Sequence, residues 1–260
     1  MAPTIRGNSL YTLTTNGSWT EAEAESVALG GHLVTINNAD ENSWIKNYFY
    51  DPTSMLSAWI GFFGYYGGGT GGYRWASGEQ VSYRNWGPGL FAGEVYAHID
   101  LYETTGRWKD SNNNGDGNGG RVKGIAEIPL TLSITRSTTP KEGIGPFTTS
   151  INLSAGTQSS GNLAEGATVY WKVTGIAADD LASGALSGSG IISSGKLDFQ
   201  NSLKIDSDTG EQFQVSVYSD SAMTQQIGAT NSVAVQEAPV VRGNSLYTIV
   251  DGPSWTQAEA

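Results

Sequence analysis

The chain of 260 residues has no cysteine. Disulfides and thiolate metal sites are therefore excluded, although a secreted protein can do without them. Basic residues are also few, with 14 Lys and Arg against 25 Asp and Glu. No Lys/Arg cluster exists to neutralise phosphates, which argues against a nucleic-acid partner. No stretch approaches the ~20 apolar residues of a membrane span. The opening residues Met1–Arg6 lack the apolar run of a signal peptide, so any export signal is expected outside this sequence. Charged residues make up only 15 %, too few for a coiled coil, while 38 % hydrophobic content is too high for a disordered chain. What is abundant is glycine, with 35 residues and no three-residue period, which excludes a collagen helix. Many glycines among β-branched residues imply short strands joined by turns. The net charge of −11 suits a soluble protein in salty surroundings.

The strongest internal signal is a repeat. Residues 6–24 and 242–260 align without a gap at an offset of 236, with 13 of 19 positions identical. Ala2-Pro3 returns as Ala238-Pro239. Ala260 falls inside what reads as a helix in the first copy, so the 260 residues are expected to be part of a longer tandem array. Six of the eight Trp lie in residues 1–129 and one in 130–238, which places a domain boundary near Pro129. The expected domains are 1–129, 130–238, and 239–260 as the truncated start of a second copy of the first.

Within 1–129, Ser9–Thr14 alternates as a strand does. Ser18-Trp19-Thr20-Glu21 is a capping box opening a helix to about Leu29, which Gly30-Gly31 stops. Trp19, Ala22, Ser26 and Leu29 share its apolar face. His32–Ile36 reads as a strand. Asn38–Glu41 caps a second helix, with Ile45, Tyr48 and Phe49 on one face. Further strands are expected at Ala58–Phe62, Tyr73–Trp75, Val81–Tyr83, Tyr96–Leu101, Gly106–Asp110 and Gly124–Ile128, with an irregular segment at about 84–95. The landmarks Trp19 with Ala22, Gly31–Ile36, Ala58-Trp59-Ile60-Gly61, Asn85-Trp86, Trp108-Lys109-Asp110 and Gly124–Ile128 stand in an order that resembles the C-type-lectin-like family. The family's usual cysteines are missing, and Ser26 lies where one often sits; the six Trp must hold the fold instead. The resemblance implies an α+β C-type-lectin-like domain.

It also implies where a sugar site would lie. Sugar-binding members of the family hold Ca²⁺ through a Glu-Pro-Asn triplet, a Glu before the next strand, and an Asn-Asp pair after a Trp. Here Glu94 matches the single Glu and Asp110 the Asp. The triplet is absent: Asn85-Trp86 is followed by Gly87-Pro88-Gly89-Leu90-Phe91, and Lys109 stands in place of the Asn. An ammonium beside the site repels Ca²⁺. A second oxygen-rich stretch, Asp110–Gly115, fits the start of a D-x-N-x-N-G calcium loop but has Arg121 at its twelfth position instead of Glu. A Gly/Asn-rich turn is the competing reading. The ligand-binding candidates are Glu94, Asp110, Asn85, Phe91 and Asn112, and the metal candidates Glu94, Asp110, Asn112, Asn114 and Asp116, with Ca²⁺ as the cofactor. Phe91, in a Gly/Pro loop, is placed to stack on a sugar ring, whereas Trp86 and Trp108 read as core.

Residues 130–238 alternate at Val169–Thr174, Leu203–Ile205, Phe213–Tyr218 and Val233–Val235, with Gly and Ser punctuating. This is the pattern of an all-β sandwich. The segment resembles a Calx-beta or immunoglobulin-like module. That resemblance implies a stiff spacer and clustered acids as Ca²⁺ ligands: Asp206, Asp208 and Glu211, with Asp179 and Asp180 nearby. Solvated turn acids are the competing reading.

No nucleophile–base pair, phosphate loop or zinc motif can be assembled, and the only histidines are His32 and His98. The expectation is a non-enzymatic, extracellular or cell-surface protein with a glycan or surface-protein partner and neighbouring repeats of its own chain. The alternative is a structural surface array without a discrete ligand.

Overall fold

The computed structural model describes residues 2–15, 17–50, 57–64, 72–88, 95–101, 104–114, 122–206, 208–242 and 245–247. Two compact units emerge: Met1–Thr131 with Ser154–Ala164, and Leu132–Leu153 with Glu165–Ala260.

The first unit begins with β1 (Thr4–Arg6) and β2 (Ser9–Leu13), an antiparallel pair. Helix α1 (Trp19–Ala28) buries Trp19, Ala22 and Ser26, while Leu29 is half-exposed. Its cap differs from the expected box. Ser18 Oγ accepts from the Glu21 amide, but the Glu21 carboxylate receives the Ser18 hydroxyl itself. The orphan amides of Trp19 and Thr20 go instead to the carbonyl and Oδ1 of Asn113, each at 3.0 Å. Of the expected strand His32–Ile36, only β3 (His32–Leu33) pairs as one, against Glu127 and Ala126. Helix α2 (Ala39–Tyr48) is capped by Asn38 Oδ1, as expected. Ile45 and Phe49 are buried, but Tyr48 is exposed and stacks on Trp44. Glu41 and Asn42 take the inner positions instead.

Then follow β4 (Ser57–Phe63), β5 (Arg74–Trp75), β6 (Tyr96–Asp100), β7 (Trp108–Ser111) and the long β8 (Val122–Arg136), which runs through Pro129. Val81–Tyr83 forms no strand; Val81 and Tyr83 pack against the core as irregular chain. β4 pairs with β5 and β6 antiparallel and with β8 parallel, and β2 joins β8 from Ser9↔Pro129 to Leu13↔Ile125. Two glycines permit the close packing. A Cβ on Gly31 would stand 2.0 Å from the Glu127 carbonyl, and one on Gly61 2.4 Å from that of Leu33. The core is aromatic: Trp59, Phe62, Trp75 and Trp108 are at most 2 % exposed.

In the second unit, β9 (Phe147–Ala155), β11 (Leu181–Ser183) and β13 (Lys196–Leu203) pair antiparallel in the order β11-β13-β9, and β8 pairs with the other edge of β9. β10 (Thr168–Thr174), β12 (Ser187–Ile191), β14 (Gln212–Tyr218) and β15 (Gln226–Ala234) make a second, in the order β12-β10-β14-β15. Burial alternates along β9 and β10, and Phe147, Ile151, Val169, Val173, Phe213 and Val215 fill the interior. Beyond it, β16 (Val240–Arg242) pairs with β17 (Ser245–Tyr247). Their register, Val240↔Tyr247 to Arg242↔Ser245, is that of Thr4↔Tyr11 to Arg6↔Ser9 shifted by 236.

Candidate functional site

β6 and β7 carry the candidate edge of the first unit, in the register Ala97↔Asp110, His98↔Lys109 and Ile99↔Trp108. Alternation puts Trp108 and Asp110 on one face and Lys109 on the other. Asp110 is 4 % exposed and Trp108 fully buried, its indole N–H donating to Asn42 Oδ1 at 2.7 Å. The Lys109 ammonium, expected to repel a cation, is committed to Asp100 Oδ2 at 2.5 Å. Burial pushes the Asp100 carboxyl up, but His98, Lys109 and the Ser57 hydroxyl outweigh it and hold the group at about 2. Ser57 Oγ donates to Asp100 Oδ1 at 2.8 Å, and His98 Nδ1 lies 3.3 Å from that oxygen. The serine thus faces a carboxylate rather than an imidazole, and this trio is not a nucleophile–base pair.

The oxygen-rich stretch after Asp110 is largely spent on structure. Asn112 Oδ1 accepts from the Asn114 amide at 2.8 Å, an Asx-turn. Asn113 clamps the start of α1 through its carbonyl and side chain. Asn85 Nδ2 donates to the Gly106 carbonyl at 2.8 Å, and the Asn85 carbonyl accepts from Trp108 N. Its amide therefore braces the turn before β7, a role its place among the ligand candidates did not anticipate. Among the described candidates, Asp110 is the buried carboxylate. Glu94, Phe91 and Asp116 lie outside the described residues. Trp86 and Tyr96 are half-buried against the core rather than displayed.

A second polar network lies beneath β2. Tyr11 Oη stands 2.9 Å from Glu41 Oε1 and 3.0 Å from Glu127 Oε1. One hydroxyl proton serves only one carboxylate, so the second contact requires a proton on a carboxyl. Burial and the facing Glu41 push Glu127 up to about 7, and burial pushes the Tyr11 phenol upward. Glu41 accepts from the Asn37 amide and lies 4.0 Å from Arg6.

In the second unit the structure brings Asp206 and Glu211 together, and adds Glu142, which the sequence did not point to. Asp208 serves Asp206 only through its amide, 2.8 Å from Asp206 Oδ1. The Asp179 carbonyl accepts from Lys204, and Asp180 is 7 % exposed with Oδ2 on the Ala177 amide. Burial, Asp180 and the neighbouring acids push Glu211 up to about 7, and burial raises Glu142 as well.

Comparison with known proteins bears on the first unit. Structures similar to this chain include the mouse scavenger receptor C-type lectin carbohydrate-recognition domain, at 22 % identity, 49 % of this chain, 95 % of that one and a TM-score of 0.40. Human lithostathine matches at 17 %, 49 %, 97 % and 0.41, and the Ca²⁺-independent C-type lectin SPL-2 from Saxidomus purpuratus at 20 %, 48 %, 88 % and 0.38. The family described as the lectin C-type domain matches residues 15–118, the segment that holds α1, α2 and β3–β7. Residues 15–118 are a C-type lectin domain.

Proposed function

We propose that the chain is an adhesion module of an extracellular tandem-repeat protein, in which the C-type lectin domain binds a glycan or a surface protein. The observation that carries this reading is the lectin C-type match over 15–118, since domains of that family are generally non-enzymatic binding modules. The fold alone does not decide a ligand. The candidate ligands in this reading are Asp110, Asn112 and Asn114, at and just after the end of β7, together with Asn85, Phe91, Glu94 and Asp116. A Ca²⁺ there rests on Asp110 and Glu94 as carboxylate ligands, and a sugar ring stacks on Phe91. The sandwich of the second unit, with its immunoglobulin-like or Calx-beta pattern, serves as a stiff spacer.

A second reading, a structural array with no discrete ligand, is favoured by one observation: the β16–β17 hairpin repeats the register of β1–β2. A glycan array probed with the whole chain, with and without chelator, separates the two. Hits that disappear with chelator and in Asp110→Ala support calcium-dependent sugar binding at this edge. Hits indifferent to both keep the glycan reading and remove Ca²⁺ from it. An empty array, together with no retention on cell surfaces, leaves only the structural reading.

A further inference from the structure

A cavity of about 270 Å³ in the first unit is lined by β5 and residues 79–84. In a chain of net charge −11 it holds two arginines, Arg74 and Arg84, against one carboxylate, Glu79. Arg84 is fixed in place. Its guanidinium carbon lies 4.2 Å from the centre of the Phe62 ring, and Nη1 donates to the Val81 and Tyr83 carbonyls at 2.7 Å each. Arg74 lies over Phe63 at 4.8 Å. Trp75, which also lines the cavity and is 2 % exposed, has its indole N–H buried without an acceptor. The indoles of Trp19, Trp59 and Trp108 each donate to one.

A guanidinium carries its N–H donors in a planar fork. Those on Nη1 of Arg84 serve the backbone, and the Nε–Nη2 edge has no hydrogen-bond partner among the described residues. That edge matches the two oxygens of a carboxylate with two parallel hydrogen bonds. No carboxylate of the described residues stands within ion-pair distance of it. Burial lowers the Arg84 pKa, and nothing negative offsets the lost water. One nitrogen and one face of the group are already held, so capturing an anion there costs little further side-chain entropy. The unsatisfied donors of this cavity, on Arg84 and Trp75, are short of the same thing, an acceptor.

We propose that this cavity is a metal-independent site for the carboxylate of a sugar acid, taken by the Nε–Nη2 edge of Arg84, with Arg74 adding positive charge. Its volume is at the small end of ligand pockets, which run about 300–1,000 Å³, and suits one ring rather than an extended chain. Tyr73 supplies an aromatic wall, and Gln80 and Ser82 supply hydrogen-bonding groups for ring hydroxyls. Glu79 opposes an anion and holds the affinity below what the two arginines alone would give. The inference rests on the glycan reading only for the carrier of the carboxylate. The cavity shares no residue with the candidate ligands of that reading.

A nuclear magnetic resonance titration of the whole chain tests it, with glucuronate, glucose and N-acetylglutamate α-amide as probes, in calcium-free buffer and with added CaCl₂. Glucuronate should shift the Arg84 Nε–H and the amides of residues 79–84 along a saturable curve that CaCl₂ leaves unchanged, and glucose should not. Arg84→Lys keeps the charge and loses the fork, and should weaken binding about tenfold. Glu79→Gln removes the opposing charge and should tighten it about threefold. Glu79 is exposed, so its variant stays folded whatever becomes of Arg84→Lys. No saturable shift with glucuronate, or a curve unchanged in both variants, overturns the site. Glucose binding as well as glucuronate overturns the carboxylate, and capped glutamate binding as well assigns the cavity to an acidic protein side chain instead of a sugar acid. Binding that needs CaCl₂ belongs to the edge at Asp110 and overturns the site here. A glycan array without calcium-dependent hits leaves glucuronate binding at Arg84 standing, so the two readings fail separately.

Discussion

In the C-type lectin unit, three indole N–H groups reach across the fold, from Trp19 to Ile60 O, Trp59 to Gly17 O and Trp108 to Asn42 Oδ1, over 41, 42 and 66 residues of sequence. In the sandwich unit the work is done by backbone ladders, and the one Trp among its described residues, Trp171, lies flat on Phe199 with ring centroids 3.8 Å apart. Much of the described first unit is irregular chain, as over residues 76–88, where Trp86 makes an isolated bridge to Trp108 but no strand forms. Buried polar groups must still be paired, so Asn42 and Asn85 both serve the Gly106 carbonyl and Asn113 serves the start of α1. The sandwich satisfies itself locally, and among its described residues the buried side-chain oxygens left without a partner are those of Glu142, Thr149, Asn201 and Asp206. A unit built on side-chain bonds is sensitive to single polar substitutions; one built on ladders is sensitive chiefly to its apolar filling.

The largest expected effect comes from emptying each core in turn. Trp108→Ala should cost about 3–5 kcal/mol and lower the unfolding transition of the first unit, while Phe213→Ala should cost about as much in the second. Denaturant unfolding followed by near-ultraviolet dichroism reads both. A single transition that shifts equally in both variants would dissolve the distinction between units.

Next in size is pH. Glu127 is raised from an ordinary value of 4.5 to about 7, so its protonated form favours the fold. Its contribution is complete below about 4.5 and is lost as pH rises through 7, on the order of 3 kcal/mol for a shift of this size. Asp100, held at about 2 against an ordinary 3.8, works in the opposite sense: its contribution is present above 3.8 and lost as pH falls through 2. The first unit should thus be most stable near pH 4–5. Glu127→Gln should flatten the decline toward pH 8. A decline of unchanged slope in that variant would assign it to other groups.

The smallest effect is at the helix start. Asn113→Ala removes the acceptor of the Thr20 amide and should cost about 1 kcal/mol. The counterpart in the sandwich, Asn152→Ala, touches only exposed or half-exposed partners and should cost less. Thermal unfolding of the two side by side checks the order.

Much of this architecture is legible in the sequence. Ser18 and Asn38 mark both helix starts, and the alternation of Val169–Thr174 and Phe213–Tyr218 marks two sandwich strands. The missteps share a cause. Tyr48 was placed inward by helical period, yet Glu41 and Asn42 hold the inner positions because Tyr11 and Trp108 meet them there. Val81–Tyr83 has the composition of a strand but finds no neighbouring edge. Asn85 and Asn112, ligand candidates in sequence, also brace turns in the fold, Asn85 Nδ2 donating to the Gly106 carbonyl and Asn112 Oδ1 accepting from the Asn114 amide.

By itself, then, the sequence determined the helix starts, the strand alternation and the repeat at 236, all set by local sterics or by period. Only the tertiary structure decided which polar side chains are buried and what they face. Glu41 is answered by Tyr11 at a separation of 30 residues, Asn42 by Trp108 at 66, and Glu142 by Ala238 at 96. A hydrogen-bond partner that far along the chain leaves no trace in period or propensity, because it exists only once the chain has closed.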